Sequence, residues 1–309
     1  MNVITSRENE TIKYACKIGQ NRAFRQSEQC FLAEGLKLCI DLARAFAIDK
    51  VFYTSKARAT CAEIQTLSGV HYEISENVAQ KLSETKAPQG LFVLFHMPQK
   101  PLVLQPNKRY LCLDNVQDPS NVGALLRSAA AFGFDGAVLS QGTADVFCGK
   151  AVRSSMGAIG QIDLFLQADM QAEIEKLRAM GSVVYAAALQ NSVPLASVQP
   201  AAERGLAIVI GNEGNGLCRA IIAACDTAVR IPMSGKVESL NAAVAGSVLL
   251  WHFSEVRGWQ KRKCGRHALK HGFGLRMASA LRRLTQMKFC PCMKIRKRCM
   301  ANDSLQICL

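Results

Sequence analysis

Apolar and polar positions change rhythm along the chain, and the rhythm divides it. Up to residue 98 the pattern is mixed. Apolar positions three and four apart predict helices at Thr11–Gln20 and Phe31–Ala47, the second with Leu32, Leu36, Cys39, Ile40, Ala43 and Ala47 on one face. Val51–Thr54 reads as a short strand, Lys56–Leu67 and Glu76–Ser83 as helical, and the unbroken apolar run Leu91–Phe95 as a buried strand. Pro98, Pro101 and Pro106 then punctuate a polar stretch. From Tyr110 the rhythm alternates. Strands are expected at Tyr110–Leu113, Ala137–Ser140, Val183–Ala187, Leu206–Ile210 and Ala228–Ile231. Helices are expected at Asn121–Phe132, Met170–Met180, Leu217–Ala224 and Leu240–Phe253. Short apolar strands separated by helices predict an α/β fold around a mostly parallel sheet, with ligands beyond the carboxyl ends of the strands. The expected organisation is a small N-terminal α/β unit (1–98), a linker (99–109), a second α/β domain (110–256) and a tail (257–309).

Charge sharpens that division. Of 38 Lys and Arg in the 309-residue chain, 14 lie in the tail with Asp303 as its one acid, so the tail carries +13 of the net +14. The body is nearly neutral. Such a tail points to an anionic partner, most simply nucleic acid, and is either a flexible basic arm or an extension foreign to the fold. The longest apolar run, Ala242–Leu250, is far short of the ~20 residues of a membrane helix, and the first residues carry no apolar signal region. The expected setting is therefore cytoplasmic, without a membrane partner. The 13 cysteines read as reduced thiols. His267, His271, Cys290, Cys292 and Cys299 in the tail have irregular spacing, and no metal site is expected.

Three segments carry candidate chemistry, each just after a strand. In Leu113–Gly133, Asp118-Pro119-Ser120 is helix-entry chemistry ahead of Asn121, Gly123 permits close backbone approach, and Arg127 lies in a helix otherwise rich in Leu and Ala. In Ile208–Leu217 a buried strand enters a glycine-rich turn holding Asn212 and Glu213. It has neither dinucleotide nor P-loop spacing, so a nucleotide-phosphate cradle is disfavoured. In Arg230–Leu250 a polar loop with Glu238, Ser239 and Asn241 opens a helix crowded with Ala and Gly.

Together these segments resemble the SpoU/TrmH family of RNA ribose 2′-O-methyltransferases. DPSNVGALLRSAAAFG, IGNEGNGL and IPMSGKVESLNAAVA are similar to the family's three motifs, in the family's order. FRQSEQCFLAEGLKL and APQG in the first unit resemble its substrate-binding domain, and KAVRSSMGAI resembles a further stretch. The resemblance implies a trefoil-knotted methyltransferase domain, S-adenosylmethionine as cofactor, a homodimer, and RNA as substrate, 23S ribosomal RNA ahead of transfer RNA. It implies cofactor contacts at Ala187, Gly211, Asn212, Gly216, Ile231, Met233 and Leu240. The reaction centre would hold Arg127, Asn121, Glu213, Ser239 and Asn241, with RNA contacts at Arg25, Glu34, Arg153 and Ser155. A non-catalytic RNA-binding protein of the same fold is the competing reading; it would be expected to have lost Arg127, Asn241 or the cofactor loops, and all are present.

Overall fold

The computed structural model describes residues 3–98, 102–199, 204–237 and 239–254. The basic tail, with its cysteines and histidines, lies outside the described residues. The N-terminal half holds a four-stranded sheet in the order β1 (Cys30–Glu34), β4 (Leu91–His96), β2 (Ile48–Tyr53) and β3 (Val70–Glu73). β4 pairs antiparallel with β1 and β2, and β3 runs parallel to β2. α1 (Glu10–Gln20) and α5 (Glu76–Leu82) bury Ile12, Ala15, Ile18, Val78 and Ala79 against one face of this sheet. Each helix begins on a side-chain cap, Asn9 and Ser75 respectively.

The helix expected over Phe31–Ala47 is instead two elements. β1 occupies its start, Gly35 turns the chain at a φ of +122°, and α3 (Leu36–Leu42) follows. The reason is physical. β1 is covered on both faces, Phe31 and Ala33 toward one core and Cys30 and Leu32 toward the other. A doubly buried strand is a solid apolar run, whose spacing satisfies a helical template equally well. Pattern reading also passes over α2 (Arg22–Glu28), β3, α7 (Gly149–Ser155), β7 (Asp163–Ala168) and the two-residue β9 (Val193–Pro194), all short or half-exposed. The helix expected over Lys56–Leu67 is split at Cys61 into α4 (Ser55–Thr60) and a 3₁₀ turn (Ala62–Thr66).

The second sheet has seven strands in the order β7, β6 (Gly136–Ser140), β5 (Arg109–Leu113), β10 (Leu206–Ile210), β8 (Val183–Ala187), β11 (Thr227–Arg230) and β9, every neighbouring pair parallel. β10, late in the chain, is thus inserted between β5 and β8. α6 (Pro119–Ala131) and α10 (Ala242–His252) cover one face of this sheet, and α8 (Met170–Ala179) and α9 (Arg219–Ala224) the other. The two sheets share one core. Phe147, from the turn after β6, packs on Phe31 of β1 with ring centroids 4.9 Å apart, and Phe31 stacks on Phe95 of β4 at 5.3 Å. Arg25 adds a polar tie. Its guanidinium is 3% exposed and meets Asp145 at 2.8 and 2.9 Å, while the carbonyls of Ile18 and Gly19 take the rest. Met1–Val256 accordingly form one compact unit, and in the stretch read as a linker Leu104 is buried. No described helix is long and apolar enough to cross a membrane.

Two glycines set how closely the helices approach. A Cβ on Gly123 of α6 would stand 2.0 Å from Ser154 Oγ and 2.4 Å from the Ala151 carbonyl of α7. One on Gly246 of α10 would meet Leu125 at 2.2 Å and Ile210 at 2.5 Å. Gly123→Ala must therefore push two helix backbones apart. It is expected to destabilise the protein by about 1–3 kcal/mol in chemical unfolding; a variant as stable as the parent would show that the two helices do not make this contact.

Candidate functional site

A cavity of about 600 Å³ opens beyond the carboxyl ends of β8, β10 and β11, where ligands of open α/β sheets bind. Ala187 ends β8 and lines one side; Gly211, Asn212 and Gly216 form the turn after β10; Ile231 and Met233 follow β11. Leu240 closes the ring just before α10. All seven residues expected at the cofactor thus face one cavity. Its walls are largely apolar, with Leu217, Ala245 and Leu249 added from neighbouring elements. Its charged lining side chains among the described residues are Glu213, Arg219 and Arg230. A nucleoside joined through a sulfonium to a zwitterionic amino-acid end, the chemistry of S-adenosylmethionine, fits such walls and such a rim.

The glycine-rich turn is shut by its own hydrogen bonds. Asn212 and Gly216 exchange N–H···O bonds of 3.2 and 2.9 Å. Asn212 Oδ1 accepts from Gly214 and Asn215 at 3.0 and 3.1 Å, and its Nδ2 donates to the Asn115 carbonyl at 2.9 Å. A Cβ on Gly211 would sit 2.5 Å from the Gly216 carbonyl carbon, so the position admits no other side chain. Two N–H groups that the sequence alone would offer to a ligand are therefore occupied by Asn212, which acts as the brace of the turn.

Glu213, on one wall of this cavity, meets two further predicted residues. Glu213 Oε1 accepts from Asn121 Nδ2 at 2.9 Å and from the Asp118 N–H at 3.0 Å, while Oε2 accepts from the Gln117 N–H at 2.9 Å. Asn121 Oδ1 in turn accepts from Asn241 Nδ2 at 3.0 Å. Asn241 Oδ1 caps α10, accepting from Ala243 and Val244. Asn121 is buried, opening α6 behind its Asp118 cap. Burial alone pushes the Glu213 pKa up, but the Gln117 N–H, the Asn121 amide and the Asp118 N–H outweigh it, so the carboxyl titrates below its usual range. Lys150 is drawn to the same corner, meeting Asp118 at 2.8 Å and lowering its pKa.

Ser239 is exposed and lines the cavity. Arg127 does not line it. The six-residue step from Asn121 turns it well away from the face that carries Asn121, and its side chain is exposed with no hydrogen bond among the described residues. Of the four residues expected to contact RNA, two are placed otherwise. Arg25 is the buried tie to Asp145, with its donors spent on protein oxygens. Ser155 is fully buried and donates to the Val152 carbonyl at 2.7 Å; neither reaches a surface from which a phosphate is accessible. Glu34 is half-buried, accepting from Ser83 and Thr85, and Arg153 pairs with Glu84 at 2.6 Å. Sequence reading passed over Gln117 and Asn115, whose backbone groups meet Glu213 and Asn212. A backbone donor leaves no mark in residue type. Among the described residues no three metal-ligating side chains come together.

Strand order and site together suit an α/β protein that binds a nucleoside-bearing ligand at its strand ends. Comparison with known proteins makes the class specific. The SpoU rRNA methylase family matches residues 108–251, and an MRM3-like substrate binding domain matches residues 9–93. The chain is 33% identical over 253 residues to the Bacillus subtilis 23S rRNA (guanosine(2553)-2′-O)-methyltransferase RlmP, covering 82% of this chain and 99% of that protein. An AdoMet-bound rRNA methyltransferase from Sinorhizobium meliloti superposes with a TM-score of 0.72 at 29% identity, covering 82% of this chain and 97% of the other. The SpoU methyltransferase AviRb from Streptomyces viridochromogenes shares the fold at 23% identity with a TM-score of 0.72, covering 81% and 98%. The chain belongs to the SpoU RNA methylase family. It is an S-adenosylmethionine-dependent RNA 2′-O-methyltransferase.

The lowered Glu213 pKa has a signed consequence. A carboxyl whose folded pKa lies below its unfolded value contributes stability above the unfolded value, and that stability is lost as pH falls through the folded one. Glu213→Gln, which turns a donor toward one of three donors, is expected to melt below the parent at pH 7. The gap should narrow as pH falls below about 4. Melting temperatures of both proteins across that range test this, and a gap independent of pH would contradict it.

Proposed function

We propose that this chain methylates a ribose 2′-hydroxyl of 23S ribosomal RNA, as a homodimer in the cytoplasm. The observation that carries the reading is the Glu213–Asn121–Asn241 relay beside the cofactor-sized cavity, in a chain whose first 93 residues include a match to an MRM3-like substrate binding domain. The 23S activity of the Bacillus relative supports the substrate. The position of β10 between β5 and β8, with α10 pressed on α6 and β10 at Gly246, is compatible with the family's trefoil knot. Val244, Val248 and Trp251 leave an exposed apolar stripe along α10, which suits a second copy packed through this region.

Bound S-adenosylmethionine supplies an electrophilic methyl group, so the reaction is a substitution that requires the ribose oxygen to be aligned and to lose its proton. Ala187, Gly211, Asn212, Gly216, Ile231, Met233 and Leu240 hold the cofactor. Glu213 is a poor base, since three donors already stabilise its ionised form; it orients Asn121 and the loop before α6. Asn121 and Asn241 tie the loop before α6 to the start of α10, and Ser239 presents its hydroxyl toward the ribose. The planar guanidinium of Arg127 acts as a bidentate clamp on an RNA phosphate, opposing charge that develops on the ribose oxygen. Arg153 and Glu34 lie on the RNA side. The basic tail adds unspecific grip.

Arg127→Ala is expected to lower methyl transfer to 23S RNA at least a hundredfold with cofactor affinity changed less than twofold, and Arg127→Lys should not restore it. Full activity in the Lys variant would discard the clamp. Deleting residues 258–309 should leave cofactor binding intact while the salt dependence of RNA binding falls. With four tail contacts to phosphate the slope drops by roughly three. An unchanged slope would show that the tail does not engage RNA.

A further inference from the structure

A second cavity, of about 120 Å³, opens where α2 faces the turn after β6 and the end of β7. Arg22, Gln26, Gln29 and Gln167 line its rim. Its floor is apolar, with Leu139 and Phe147 buried. Gln29 donates to the Gln26 carbonyl at 2.6 Å, whereas the side chains of Arg22, Gln26 and Gln167 make no hydrogen bond among the described residues. Asp145 also lines the cavity, but its carboxylate is committed to Arg25 and to the Phe147 N–H. The site thus offers amides and one guanidinium over an apolar floor, with no free negative charge.

Two features mark the cavity as built. Gln29 and Gln167 hold φ angles of +51° and +55°, a region that side chains of this kind seldom adopt. Gln167 owes its place to an irregularity in the β6–β7 ladder, where Val138 opposes Phe165 but Ser140 opposes Ala168. An extra residue of this kind re-aims side chains, and such bulges recur beside active sites. The turn forming one wall also carries the catalytic loop on its other side. Ser140 Oγ accepts from the Asn115 N–H at 3.0 Å, and the Ala144 N–H donates to the Val116 carbonyl at 2.9 Å. The Gly142 carbonyl accepts from Gln117 Nε2 at 2.7 Å. Gln117 and Asp118 are the residues whose N–H groups meet Glu213.

We propose that this cavity receives an unpaired base of the RNA, close along the strand to the methylated nucleotide. The inference rests on the RNA reading above and adds to it a specificity pocket. A base presents an apolar face and an edge of donors and acceptors; amide side chains, which carry both, are suited to that edge, and an apolar floor to the face. A phosphate would call for several cations, and the rim supplies one. Because one turn forms the pocket wall and braces the loop that Glu213 holds, sequence context is read next to the reaction centre.

The test pairs Gln26→Ala with Gln167→Gly, the glycine accepting the left-handed backbone without strain. Kinetics are measured on unmethylated 23S ribosomal RNA transcribed in vitro, with cofactor affinity followed by calorimetry. The expected result is a rise of about tenfold in KM for RNA, with kcat within twofold and cofactor affinity unchanged. In the parent, RNA containing 4-thiouridine should crosslink within residues 22–29 or 166–167. A KM within twofold of the parent, or crosslinks that avoid both segments, overturns the pocket while leaving the methyltransferase reading intact. A parent enzyme that transfers no methyl group to this RNA overturns the 23S reading and the pocket with it.

Discussion

One carboxylate holds the candidate site together. Glu213, on the turn after β10, accepts three hydrogen bonds from the loop and helix that follow β5, and through Asn121 it reaches the cap of α10. Three segments, around residues 117–121, 213 and 241, are thereby fixed to one another within hydrogen-bond distance. Parallel strands make this possible, because β5 and β10 are neighbours and both end on the same edge. The turn after β10 is in turn held by Asn212, whose amide donates to the Asn115 carbonyl. The loop before α6 is therefore gripped by Glu213 and Asn212 on one side and by the turn after β6 on the other.

Such convergence demands that backbones come close, and small residues provide the space. Gly211 lets the turn fold over the strand end, Gly123 lets α7 lie on α6, and Gly246 lets α10 settle between Leu125 and Ile210. Helix dipoles act in the same place. α6 and α10 both present their N-termini at the relay, and both ends are satisfied by side chains, Asp118 and Asn241. Asn241 thus serves two ends at once, its oxygen capping α10 and its nitrogen holding Asn121. Substituting it removes a cap and a link in one step, so its effects on stability and on catalysis are not separable by a single variant.

The catalytic half was legible for a definite reason. Its five central strands are short apolar runs, and residues just after them must carry polar chemistry if a ligand binds at the strand ends; Asn121, Glu213 and Asn241 satisfy that rule. What stayed hidden has equally definite causes. β1 is buried on both faces and mimics a helical spacing. β7 and β9 lie at sheet edges, where half-exposed residues blur alternation. Arg25 and Ser155 are polar residues consumed by the interior, and residue type cannot tell a buried tie from a surface contact. Arg127 illustrates the converse. The motif announces it, yet it is exposed and makes no hydrogen bond among the described residues.

The buried tie also fixes the N-terminal sheet to the second half of the chain. An isolated guanidinium in a core would be costly, and here every direction of Arg25 is answered: Asp145 from the turn after β6, and two carbonyls at the end of α1. Breaking such a pair costs more than its formation gains, since the partner charge is stranded. The tie therefore opposes sliding of the N-terminal sheet over the catalytic half, a motion that the Phe31–Phe147 contact alone, being apolar and undirected, would resist less. Asp145 is two residues from Thr143, whose hydroxyl donates to the Leu113 carbonyl at the end of β5. The substrate-binding half is thus referenced, through one turn, to the strand from which the catalytic loop departs.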